Sequence, residues 1–185
     1  MSTDGSFPSR PRQFKPPPTP QPQPTPAPSP VQPPRPTPTP SPQDACPASG
    51  QPVPATRISG IPVFCVYKRR TNDIYPNDSN AQVSGFPGYP PIPLHYESSQ
   101  AAQEANRRAA LAGVPTCQPR NGVSYSRDEY PFASTKEGGK NTGRQAFTLC
   151  VPVSEQGRQG YDLTTFYGGE LFQVDNASFY VVPVP

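Results

Sequence analysis

Between residues 125 and 139 the chain reads YSRDEYPFASTKEGG. Arg127, Asp128, Glu129 and Glu137 stand here among Tyr130, Pro131 and Phe132. A solvated loop has no use for the bulky apolar residues, and a plain core strand does not tolerate adjacent acids. The combination points to a strand that delivers carboxylates to a site. Carboxylates held this way take a proton from water or bind a hard cation through oxygen.

A second polar group follows in SEQGRQGYDL, residues 154–163. Gln159, Leu163, Phe166 and Tyr167 share one face at helical spacing. Asp162 lies about one turn from Gln159, so the two form a polar helix face. Arg127 and Arg158 are candidate phosphate clamps, because a guanidinium grips two phosphate oxygens at once. His95, the only histidine, reads as a loop side chain.

The elements that must position these groups follow from pattern. Residues 62–67 read as a buried strand, from their β-branched and aromatic run. Residues 71–93 read as loop, because Asn, Asp, Gly and Pro interrupt every period. ESSQAAQEANRRAALAG predicts a helix capped by Ser98 or Ser99 and ended by Gly113 and Pro115. Ala101, Ala105, Ala109 and Ala112 form a small-residue stripe on it, suited to packing on a sheet. Strands are predicted over 124–133 and 145–153, then a helix over 156–167. LFQVDNASFYVV predicts a closing hairpin around Asp175 and Asn176. The class is α+β, a small single domain.

Composition sets the boundaries. Of 32 prolines in 185 residues, 20 fall in the first 54. Proline fixes φ and removes the amide donor, so residues 1–54 are expected to be a disordered, proline-rich tail. The domain is expected over 55–185, with 12 Lys or Arg against 11 Asp or Glu. That balance gives no global steering toward nucleic acid. Local clusters such as Arg107-Arg108 read as solvated faces. The cysteines at 46, 65, 117 and 150 lack metal-ligand spacing, which argues against structural zinc. With Cys46 in the tail, three remain in the domain, open to three pairings and one disulfide if the protein is exported. The N-terminus has no apolar signal-peptide region, and no run reaches the ~20 apolar residues that span a bilayer, so no membrane partner is expected.

Placed in chain order, 124–133, 145–153 and 156–167 make a β-β-α unit that resembles the core of the ββα-metal nucleases. The run NRRAALAGVPT…SRDEYPFASTKEGG…VPVSEQGRQGYDLTTFY resembles the NucA/NucB deoxyribonuclease family over about residues 105–180. The resemblance implies a metal-dependent, sequence-nonspecific DNA endonuclease with Mg²⁺ or Mn²⁺ as cofactor. It assigns Asp128 as general base, in a place where other ββα-metal nucleases use histidine; Glu129, on the opposite face of a regular strand, falls to catalysis or to a structural or metal-shell role. Glu137 is the family's third acid, there to anchor the loop or to bind metal, and Gln159 matches its helix glutamine. Gln156 stands where the family's E-N-x-x-Q-G has Asn, and the metal set it implies is Glu137, Gln156, Gln159 and Asp162. Arg127 and Arg158 would bind substrate. A proline-rich stalk before a small nuclease is also how effector toxins are carried, which implies DNA as target, an immunity protein as partner, and secretion or delivery out of the cell. The competing class is a non-catalytic interaction protein that binds partners through its proline-rich tail. Retention of Asp128, Glu129, Glu137 and Gln159 together favours the nuclease.

Overall fold

The computed structural model describes residues 40–48 and 55–185. Most of the expected proline-rich tail, 1–39 and 49–54, lies outside the described residues. Among the described residues, six strands and three α-helices follow in the order β1 (Arg57–Ile58), β2 (Ile61–Tyr67), α1 (Ile74–Val83), β3 (Leu94–His95), α2 (Gln100–Leu111), β4 (Tyr125–Tyr130), β5 (Phe147–Pro152), α3 (Val153–Gly169) and β6 (Ser178–Val184). The fold is α+β, as the pattern predicts.

One sheet runs β1-β2-β6-β3, and β4 pairs with β5 in a separate two-stranded sheet. Strands β2 and β6 are parallel, with Phe64 opposite Val181. Strand β2 is buried along nearly its whole length, so its two faces serve two cores. Phe64 and Val66 face the main core with Phe132, Phe166 and Phe179. Val63, Cys65 and Tyr67 face a smaller cluster with Tyr180 and Val182. A strand covered on both sides reads as a continuous apolar run rather than an alternation, which is why VFCVY is legible as buried.

The second face of β2 is roofed by residues assigned above to the tail. Pro42–Ala45 form a 3₁₀ turn capped by the Ser41 side chain. The Gln43 amide donates to Pro183 O at 3.2 Å, and Tyr67 donates its hydroxyl to Pro47 O at 2.6 Å. Cys46 is bonded to Cys65, and Cys117 to Cys150. This corrects the expectation of one bridge drawn from three domain cysteines: all four are used, and Cys46 is among them. Residues 40–48 thus pack against the expected domain.

Three further readings are corrected. The stretch 71–93 contains the ten-residue helix α1. Pro76 falls in its first turn, where a missing N–H breaks no helical bond. The Glu155 carboxylate of α3 accepts from the Asp73 and Ile74 amides at 2.9 and 3.3 Å, capping α1 from another element. No local pattern announces such a cap. The closing segment is a single strand, with 171–177 in turns. Phe172, Gln173 and Asn176 there adopt positive φ, which a strand does not allow. On α2 the buried residues are Asn106 and Ala110 rather than the alanine stripe. Asn106 donates to Ala133 O and Thr135 O at 3.1 and 2.9 Å, so α2 docks through an amide on the loop after β4.

Antiparallel β4 and β5 are in register from Tyr125 opposite Pro152 to Tyr130 opposite Phe147, and α3 begins directly after β5. This is the expected β-β-α unit. The inward face of α3 carries Gln159, Asp162, Leu163, Phe166 and Tyr167, the predicted face joined by Asp162. Tyr161 points away and is largely exposed. Among the described residues no helix is long and apolar enough to cross a membrane.

Candidate active site

The last three residues of β4, Asp128, Glu129 and Tyr130, are buried. Asp128 and Glu129 keep only 4% and 5% of their surface. Both border one cleft of about 550 Å³, together with Arg107 of α2 and Gln156, Gln159 and Leu163 of α3. Alternation along a strand would send adjacent side chains to opposite faces. They nonetheless line the same cavity, which wraps around the strand end between α2 and α3.

Burial decides the state of these acids. It pushes the Asp128 carboxyl from its ordinary 3.8 up to about 7, reinforced by the charge of Glu129 and opposed by Asn77, Arg107 and Gln156. Burial raises Glu129 as well, opposed by Arg107 and Arg127. Asp78 of α1 is raised by burial and then by Asp128. A carboxylate removed from water holds its proton more tightly. Asp128 therefore titrates near neutrality, where a base exchanges protons most readily.

The other predicted residues divide. Gln159 is buried, and its amide donates to Asp78 Oδ2 at 3.3 Å. The Gln156 side chain lies along β4: its oxygen accepts from the Ser126 hydroxyl, and its nitrogen donates to Arg127 O at 2.8 Å. Glu137 does not border the cleft. Its carboxylate accepts from the His95 amide at 2.9 Å and contacts His95 Nδ1 at 2.6 Å. Asp162 is gripped by Arg70, whose Nη2 reaches both carboxylate oxygens at 3.2 and 3.1 Å. Arg127 donates to Val114 O at 2.8 Å and so ties down the chain after α2. Arg158 is exposed on α3 and is not part of the cleft wall.

Three residues escape the sequence reading. Asn77 and Asp78 on α1 have no exposed surface, and Asn77 donates to Asp128 Oδ2 at 2.9 Å. Reading 71–93 as loop hid them, although Ile74, Asn77, Asp78 and Ala81 recur at helical spacing. Arg107 is the third. It is the cationic residue on the cleft wall among those described, and its Nε stands 3.4 Å from Glu129 Oε1. The only signal was its place in a basic pair.

Among the described residues no cluster of three His, Cys, Asp or Glu side chains is gathered to hold a metal. The cleft does hold the buried Asp128 and Glu129 carboxylates and the Gln159 amide, with Glu104 of α2 at its exposed side. Glu129 Oε2 is buried without a hydrogen-bond partner, an oxygen that a cation would satisfy. Mg²⁺ is commonly held by one or two carboxylates, with waters and substrate phosphate completing its shell. The donor set fits such an ion.

A β-hairpin leads into a helix, and buried acids at the strand end open onto a cleft that Arg107 also borders. Residues 85–182, more than half of the chain, match the family Deoxyribonuclease NucA/NucB, and the chain belongs to it. The protein is accordingly a deoxyribonuclease, an endonuclease acting on DNA. No curated protein matches the chain.

Proposed function

We propose that the cleft between α2 and α3 is the nuclease centre, that hydrolysis there depends on a divalent cation, and that cutting is indifferent to sequence. The observation that carries this reading is the adjacent pair Asp128 and Glu129, both buried and both bordering a cleft whose wall also bears Arg107. Asp128 acts as general base and takes a proton from the attacking water. The resulting hydroxide attacks phosphorus, the P–O bond to the leaving strand breaks, and the departing oxygen takes a proton from solvent. Arg107 binds a backbone phosphate through its guanidinium. Glu129 and the Gln159 amide would hold Mg²⁺ or Mn²⁺, which when bound supplies charge neutralisation at the phosphodiester. Glu137, Gln156, Asp162 and Arg127, each engaged by other parts of the fold, hold the site's frame.

Indifference to sequence follows from phosphate-directed contacts, since base identity is read only through base edges. Two disulfides suit an oxidising compartment, and secretion or delivery to a target outside the cell is the matching cellular setting. The test is degradation of plasmid and of unrelated duplexes by the purified protein. EDTA should abolish cutting, and Mg²⁺ or Mn²⁺ should restore it. Undiminished cutting in EDTA would exclude the cation, and a fixed fragment pattern would exclude indifference to sequence.

A further inference from the structure

The inward side of α1 is built against the usual rule. Its buried positions are Ile74, Asn77, Asp78 and Ala81, a spacing at which helices normally carry an apolar stripe. The middle two are polar and fully buried, and each keeps one side-chain oxygen without a partner. Burying such groups costs stability unless every hydrogen bond is replaced. Packing alone would favour Leu at both places. What Asn77 does make is a 2.9 Å bond from its amide to Asp128 Oδ2. The helix that carries it is fixed to α3 through Glu155, and it lies before residue 85, where the family match begins.

We propose that Asn77 is a positioning residue for DNA hydrolysis, its amide holding the Asp128 carboxylate in the orientation needed to accept a proton. The inference rests on Asp128 being the base. A donor fixed on one carboxylate oxygen restricts rotation about the Cβ–Cγ bond. Small losses of alignment at a reacting group cost rate far more than they cost binding. Asn77 touches no substrate in this role and acts only through Asp128.

The test compares Asn77→Leu, Asp128→Asn and the double variant on plasmid DNA with Mg²⁺, alongside melting curves in EDTA. Asn77→Leu keeps the heavy-atom count and branching of the side chain and removes the amide that pairs with Asp128 Oδ2, and the melting curves show whether it folds. Its kcat should fall about 10- to 100-fold with KM nearly unchanged. In the Asp128→Asn background the same change should alter the residual rate less than about twofold, because effects routed through one group do not add. Asn77→Ser and Asn77→Ala differ mainly by the donor, and Ser should keep more activity; this pair decides the matter if Asn77→Leu does not fold. A folded Asn77→Leu at the wild-type kcat overturns the proposal, as does an equal loss in both backgrounds, or equal activity of Ser and Ala. Full activity in Asp128→Asn would instead remove the base assignment, and this role with it. An inactive Asp128→Asn beside a fully active Asn77→Leu overturns only the role of Asn77.

Discussion

Arg107 Nε stands 3.4 Å from Glu129 Oε1, a half-exposed guanidinium against a nearly buried carboxylate, with side-chain exposures of 54% and 6%. The arginine can be drawn outward by a phosphate without unpacking anything. Arg107→Ala should therefore weaken DNA binding and lower the slope of log affinity against log salt by about one. Arg158→Ala, off the cleft wall, should change the slope less. Fluorescence anisotropy in EDTA between about 50 and 200 mM salt measures both. Equal slopes for the wild type and Arg107→Ala would place the phosphate contact elsewhere.

Asp128 sets a pH dependence of stability whose sign is fixed by burial. Its folded value of about 7 lies above the ordinary 3.8, so the native state binds the proton more tightly than the unfolded chain. That contribution is complete below about pH 4 and is lost as pH rises through about 7. Glu129 and Asp78 shift in the same direction. In EDTA the melting temperature should decline across this window. Asp128→Asn should flatten the decline and stand above the wild type at pH 8, while cutting at least about 10²-fold more slowly when Mg²⁺ is added. A variant that melts lower at pH 8 would show that the acid was a structural partner.

The two glycines of the EGG run do different work. A Cβ on Gly138 would meet Phe132 O at 2.5 Å, and one on Gly139 would meet the Asn106 backbone at 3.0 Å. Gly139 also adopts φ +72°, a region that costs an L-residue about 1–2 kcal/mol. Alanine at either position should lower the melting temperature, through contact at Gly138 and through contact plus backbone strain at Gly139. Thermal unfolding of both variants checks this. An unchanged melting temperature for Gly138→Ala would mean the loop is free to shift.

The Cys46–Cys65 bridge spans 19 residues, and loops of that size contribute about 3 kcal/mol when closed. Replacing both cysteines by serine should lower stability by about that much. Removing residues 1–38 keeps every described residue and should leave stability and activity intact. A chain beginning at Ala55 loses Cys46, exposes the outer face of β2 and leaves Cys65 as a free thiol. It should melt lower than the chain beginning at Thr39. Identical melting curves would return the boundary to Ala55.

Local pattern carried the reading where neighbours in sequence are neighbours in the site. β4, β5 and α3 are consecutive, and their periods predict both the unit and the inward face of Gln159, Leu163, Phe166 and Tyr167. A place on one cleft was legible for Asp128, Gln156 and Gln159, whereas strand alternation put Glu129 on the other face. What each side chain bonds was not. Arg127 and Arg158 looked alike as guanidinium groups, yet one is spent on a carbonyl of the chain after α2 and the other faces solvent. Asp162 and Glu137 looked like ligands, and they meet Arg70 and His95 across long sequence separations. The helix α1 failed for a physical reason: its amides are capped by an acid 82 residues away, and its inner stripe is half polar. Hydrophobic periodicity has nothing to detect there.

That half-polar stripe also bears on how the protein would respond to laboratory evolution for heat resistance. Most stabilising changes are easy to find where a fold sits below its optimum, and the recurrent cost is activity. Two fully buried polar side chains, each with an oxygen left without a partner, are places where an apolar replacement removes an uncompensated group, at the expense of the bonds to Asp128 and Gln159. A screen that scores only survival of heating should enrich apolar residues at 77 and 78 and deliver robust proteins that no longer cut. Scoring heat resistance and DNA cleavage together should keep Asn77 and Asp78 and push the improvements outward to surface positions such as Val83 and Phe172, which are exposed and apolar.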